Sequence, residues 1–160
     1  MASTLKVKIQ EDIILDNQDY GSKRVLEISD IATIVKRIVK IGTSEIGLLG
    51  FGTAYNTELS KTYLAGQFDE DEVRYIRITN LNDTNHIALV LKNENNDEFG
   101  VKVDKGCSFL YCADLAGGVV DTMDSADAAG ITPNSFGDLV DITCVADTSG
   151  CNVEVFVAST

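Results

Sequence analysis

Tryptophan is absent from this chain, and proline and histidine occur once each. Without Trp the chain lacks the largest amphipathic aromatic platform, a surface that sugar-cleaving sites usually need. Acidic residues are so numerous that pairs of carboxylates, the signature of such sites, carry no information by themselves. The lone His86 follows a polar turn and opens an apolar run. A His-based metal triad or a His-activated nucleophile would need it, yet no nucleophile motif accompanies it and no G-x-S-x-G elbow is present. It is read as an ordinary exposed or hydrogen-bonded histidine, and the chain as non-enzymatic.

Cations are also scarce. Thirteen Lys and Arg stand against 25 Asp and Glu, for a net charge of -12 and a pI near 4.3. Such a balance argues against non-specific binding to nucleic acid and to anionic membranes, both of which reward basic surfaces. No apolar run is long enough to span a bilayer as a helix. Met1-Ala2-Ser3-Thr4 runs straight into a strand pattern, so the expectation is a protein made in a cytoplasm without a secretory signal. At 160 residues the chain is read as a single domain, 1–160, with an N-terminal arm at 1–30.

What the sequence has in quantity is strand pattern. Residues 72–111 hold four short runs rich in Val, Ile, Leu, Phe and Tyr, separated by Asn, Asp and Gly. They predict consecutive antiparallel strands with tight connections. Side chains alternate along a strand, so Ile76 and Ile78 share a face against Val73, Tyr75 and Arg77. Ile87, Leu89 and Leu91 form the next apolar face, then Phe99, Val101 and Val103, then Cys107, Phe109 and Tyr111. Asn82 to Asn85 and Asn93 to Asp97 can bond their own backbones as turns, and Gly106 supplies freedom for a positive φ.

Elsewhere, Leu5, Val7 and Ile9 alternate with Lys6, Lys8 and Gln10, an early strand whose lysines mark an exposed face or a protected edge. A short hairpin from Ile13–Leu15 back along Ser22–Ile28 is expected next. Between Ser29 and Ile41 a capped helix competes with a strand, and the reading adopted is a strand over Val35–Ile41 after a helical turn. Glu45 to Phe51 reads as a bent strand, since its glycines match neither a P-loop nor a dinucleotide fingerprint. Thr122 to Ala129 predicts a helical turn inside the long, weakly patterned 113–137 region. The chain closes on an expected hairpin, with Val140, Ile142 and Cys144 inward on one strand and Val153, Val155 and Val157 on the next.

Roughly eight to ten strands with short turns and little helix predict an all-β fold. The expected architecture is a two-sheet antiparallel β-sandwich, jelly-roll-like or immunoglobulin-like, with strand order left open.

Two clusters bear on ligands. Cys107 and Cys112, and Cys144 and Cys151, lack standard zinc spacing and are read as buried reduced thiols. The alternatives are a zinc site, or a cross-strand disulfide between Cys144 and Cys151 in one hairpin register. Asp69 to Glu72 with Asn93 to Glu98 offers oxygen ligands for Ca²⁺ but no EF-hand pattern, so solvated loop charge is expected, with no cofactor and no metal.

The segments EVRYIRITNLNDTN, LVLKNENNDEFGVKVDKGCSFLY and LVDITCVADTSGCNVEVFVAST together resemble small virion structural proteins of tailed, especially marine, bacteriophages. The resemblance covers residues 70–160 best and rests on general pattern rather than on a catalytic signature. It implies a β-sandwich made in the host cytoplasm that works within a virion, without fixing its position there. Edge strands able to join neighbours, and many weak contacts repeated over a symmetric shell, make a capsid decoration (cement) protein at the capsid surface the expected role. The partners implied are the major capsid protein or other virion proteins, and further copies in a homo-oligomer. A tail, neck or fibre component and a carbohydrate- or calcium-binding adhesion module are the alternatives. Exposure and position make Lys6 and Lys8 in the arm, and Val119, Met123, Ile131 and Phe136 in the long loop, the candidate partner-interface residues.

Overall fold

In the computed structural model, residues 3–52, 63–94, 96–112, 121–123 and 136–160 are described, without the side chains of 121–123 and 136. Fourteen strands occur among them: β1 (Ser3–Glu11), β2 (Ile14–Leu15), β3 (Gln18–Asp19), β4 (Ser22–Ile31), β5 (Thr33–Ile41), β6 (Ile46–Phe51), β7 (Gly66–Phe68), β8 (Val73–Asn80), β9 (Ile87–Asn93), β10 (Glu98–Val103), β11 (Ser108–Cys112), β12 (Asp121–Met123), β13 (Phe136–Ala146) and β14 (Cys151–Ser159). One sheet runs β10-β9-β13-β6-β7, with β12 also on β13, and the other runs β11-β8-β14-β5. Their facing side chains form one core. Ile76, Ile78, Val153, Val155 and Val157 come from the second sheet, and Ile87, Leu89, Leu91, Leu139 and Ile142 from the first. This is the expected all-β sandwich. The pairings are antiparallel except β6 with β7.

The pairing partners differ from those expected. β8, β9, β10 and β11 are not a meander. β9 and β10 are neighbours in one sheet while β8 and β11 pair in the other, so the chain crosses between sheets at both flanking turns. Asn80, fully buried, ties the two crossings together. Its Nδ2 donates to the Asn85 and Val103 carbonyls at 2.9 and 3.2 Å, and its Oδ1 accepts from the Asn82 amide at 3.0 Å. Its backbone also bonds Cys107 and Gly106, at 3.0 Å each. A buried amide is tolerated only when its polar atoms are partnered, and these are. The turns themselves fit expectation: Asn82 Oδ1 accepts from the Thr84 and Asn85 amides, and Gly106 has a φ of 70°.

The closing hairpin is likewise replaced by a crossing. β13 pairs β9 and β6, whereas β14 pairs β5 and β8 in the opposite sheet. A bulge between Leu139 and Asp141 leaves Val140 half-exposed and turns Leu139 into the core ahead of Ile142 and Cys144. A bulge resets the alternation because it adds one residue to one strand only. An irregularity between Ala158 and Ser159 similarly coincides with Val73 being in the core rather than on the outer face with Tyr75. In β10, Val103 is buried but Phe99 is 46% exposed, because the strand lies at the sheet edge.

β6 is buried on both faces, with Tyr63 lying over Gly50. A Cβ on Gly50 would come within 2.5 Å of the Tyr63 ring, so only glycine fits. The expected helical turn before Val35 is absent: β4 runs to Ile31 and β5 starts at Thr33, with Asp30 at a φ of 61° making the break. β-branched residues crowd this segment and favour strand. Thr122 and Met123, expected in a helical turn, belong to β12 instead, and 124–130 lie outside the described residues.

Candidate functional site

The N-terminal strands leave the sandwich. β1 pairs β4 from Glu11↔Ser22 down to Leu5↔Ile28, and the smaller β2–β3 pair continues the ribbon to its end. The expected hairpin partners are therefore exchanged: Ser22–Ile28 returns along β1, and Ile14–Leu15 returns along Gln18–Asp19. The turn is made by Asp16 and Asn17 at φ of 50° and 60°. Two consecutive positive values define the type I′ turn, whose twist matches that of the strands it joins. Tyr20 N donates to Ile13 O at 3.0 Å, Tyr20 OH to Gln18 Oε1 at 2.8 Å, and Gly21 N to Asp19 Oδ1 at 2.8 Å.

Among the described residues, the root of this arm is the part that packs on the body. Leu5, Val7, Leu26 and Ile28 pack with Ile31 on Tyr75, Phe156 and Ala158, which lie on the outer face of the β11-β8-β14-β5 sheet. Alternation explains the division. Val153, Val155 and Val157 of β14 point into the sandwich and leave Phe156 and Ala158 outside, where the arm covers them. Beyond the root, every residue from Lys8 to Val25 is exposed. By the rise of a strand that stretch projects about 25 Å. Its apolar residues are Ile9, Ile13, Ile14, Leu15, Tyr20 and Val25, with Ile14 76% exposed. A monomer rarely sets so many large apolar side chains on one projecting element without a partner.

The second exposed apolar surface is β5, which among the described residues is an edge strand paired with β14 alone. Its outer face presents Ile34, Lys36, Ile38 and Lys40 in alternation, with Ile38 63% exposed. Beside it Lys36 Nζ meets Glu154 Oε2 at 3.1 Å, and Arg77 pairs with the other oxygen of Glu154 while its guanidinium lies 5.8 Å from the Phe156 ring centre. Seven of the thirteen cationic residues fall within the first 41 positions, so the arm and β5 are the part of this acidic protein where positive charge gathers.

The expected interface residues divide. Lys6 is exposed and pairs with Glu27, its cross-strand partner, at 2.7 Å. Lys8 is exposed opposite Val25. Met123 and Phe136 are backbone register partners across β12 and β13. Val119 and Ile131 lie outside the described residues. The arm's apolar tip, unlike its lysines, is not among the sequence-predicted interface residues. The signal was present in Ile13-Ile14-Leu15, three large apolar residues flanked on both sides by Asp.

The sites considered for chemistry resolve differently. His86 is half-buried, with Nδ1 3.5 Å from Asp147 Oδ2. All four cysteines are free; Cys144 and Cys151 are buried on opposite sheets, so no shared hairpin joins them, while Cys107 and Cys112 are exposed, contrary to expectation. Glu70 lies near Asp138, Asp71, Asp69 and Glu94, and burial followed by these charges raises its carboxyl above the usual range. The two acidic stretches do approach each other, yet among the described residues no group of three ligating side chains is arranged to hold a metal. No helix among the described residues is long and apolar enough to cross a membrane. The chain matches no family model, no curated protein and no solved structure.

Proposed function

We propose that the chain is a non-enzymatic structural protein of a virus particle, most concretely a capsid decoration protein that binds the major capsid protein and stabilises the shell. The observation that carries this reading is the arm. Eighteen consecutive exposed residues, 8–25, are held in a hydrogen-bonded ribbon with an apolar tip. A pre-formed ribbon loses little freedom when a partner covers it, so its apolar area converts efficiently into affinity. Repeated over a symmetric surface, contacts of this size add up to a large total. The resemblance of residues 70–160 to small virion proteins supplies the setting, and the net charge of -12 keeps such a protein off packaged nucleic acid during assembly.

The experiment is to purify particles, locate the protein by labelled electron microscopy and count copies by quantitative mass spectrometry. Hundreds of copies over the head are expected. A few copies at the tail would transfer the protein to the tail or neck, and absence from particles would remove the virion reading.

A further inference from the structure

The tip of the arm is apolar and acidic. Ile13, Ile14 and Leu15 are exposed there, among Glu11, Asp12, Asp16 and Asp19, and no Lys or Arg occurs between Ile9 and Ser22. The outer face of β5 is apolar and cationic: Ile34 and Ile38 are exposed in alternation with Lys36 and Lys40, and the carboxylate beside them, Glu154, is shared by Lys36 and Arg77. The two surfaces are complementary in both respects. Neither is covered within one molecule: every residue from 8 to 25 is exposed, as are Ile34, Lys36, Ile38 and Lys40. We propose that the arm tip docks on the outer face of β5 of a second copy of this chain. The proposal deepens the reading of the arm as an assembly element and rests on it.

Three further observations favour this occupant. Among the described residues β5 has a free edge, and its lysines oppose pairing with another β5, because a two-fold contact centred on Ile38 sets Lys36 of one copy opposite Lys40 of the other. An acidic tip removes that repulsion. The tip is also pre-formed: its type I′ turn and the Tyr20–Ile13 and Gly21–Asp19 bonds set the apolar side chains outward before any partner arrives. Finally, a reciprocal arrangement satisfies both surfaces at once. In a two-fold exchange each copy gives one tip and receives one, so two contacts form per pair and no unsatisfied tip remains.

The test uses the full chain in analytical ultracentrifugation, with a tip variant (Ile14→Asp with Leu15→Asp) and a face variant (Ile34→Asp with Ile38→Asp). All four positions are exposed, and both variants should melt like the wild type. The wild type is expected to self-associate, and each variant to associate about thirty-fold more weakly or worse. An equimolar mixture of the two variants should associate more tightly than either variant alone, because one of the two tip–face contacts is then intact. A wild type that stays monomeric to roughly 1 mM overturns the proposal. So does association untouched by either variant, or a mixture that associates no more tightly than either variant alone. Binding of the same proteins to particles stripped of this chain separates the two levels. A monomeric wild type that binds shells through its tip sinks self-docking and keeps the virion reading. Self-association in a protein that never enters particles does the reverse.

Discussion

Tyr75 and Phe156 meet edge-on, ring centres 5.8 Å apart at 74°, on the outer face of the sheet under the root of the arm. Each belongs to a strand whose other face fills the sandwich. They are the point at which the body fixes the direction of the arm. Tyr75→Ala should therefore cost about 3 kcal/mol by removing a buried ring. It should also speed proteolysis between Lys8 and Val25, because the root loses its platform. Thermal melts and limited trypsin digestion check this; cleavage of the arm at the wild-type rate would mean that the root is held by other contacts.

Asn80 pins two crossings with one side chain. Replacing it by Ala leaves the Asn85 and Val103 carbonyls and the Asn82 amide short of a partner inside the fold. Net hydrogen-bond contributions near 1 kcal/mol each predict a loss of about 3 kcal/mol. Asn80→Asp should be no better, since a carboxylate supplies no donor for the two carbonyls. Urea denaturation of both variants measures it.

Alkaline pH should act through Tyr63. Burial, and then the charge of Asp141 with a hydrogen bond to it at 3.4 Å, pushes its phenol up to about 12 from 10.0. Above pH 10 the unfolded chain releases this proton while the folded chain keeps it. The folded state then binds more protons, so stability falls as pH rises from 10 towards 12. Below pH 10 the group has no such effect. Tyr63→Phe should flatten the decline in unfolding free energy over that window, measured by urea titration at stepped pH, at the cost of the bond to Asp141.

The four cysteines should sort into two pairs. Cys107 and Cys112 are exposed and should react quickly with a thiol reagent. Cys144 is buried, with burial and then Cys151 pushing its thiol up to about 12, and Cys151 is raised by burial and then by Asp147. The thiolate is the reactive form, so both should react only on unfolding. Two equivalents consumed natively and four in denaturant is the expected titration. Four consumed natively would mean that the two sheets part readily.

Local alternation was legible in the residues themselves. Ile76 with Ile78, Ile87 with Leu89 and Leu91, and Val153 with Val155 and Val157 face the core as their spacing requires, because a strand offers a side chain only two directions. The turn chemistry of Asn82 and Gly106 was legible for the same reason, since it depends on a few neighbouring backbone atoms. So was an exposed, lysine-bearing first strand. Partnership between strands was not. A crossing between sheets and a hairpin use turns of similar length and composition, so β8–β9 and β13–β14 read as hairpins until the buried Asn80 and the opposing sheets decided otherwise. Bulges at Leu139–Asp141 and Ala158–Ser159 shifted faces that strict alternation assigns differently. The arm belongs to the same class. Leu5, Val7 and Ile9 form one apolar stripe in the sequence, but only the first two reach Tyr75 and Phe156. Which apolar residues find a core and which are left for a partner is settled by where the sheet ends, a property of the assembled structure that periodicity along one strand does not contain.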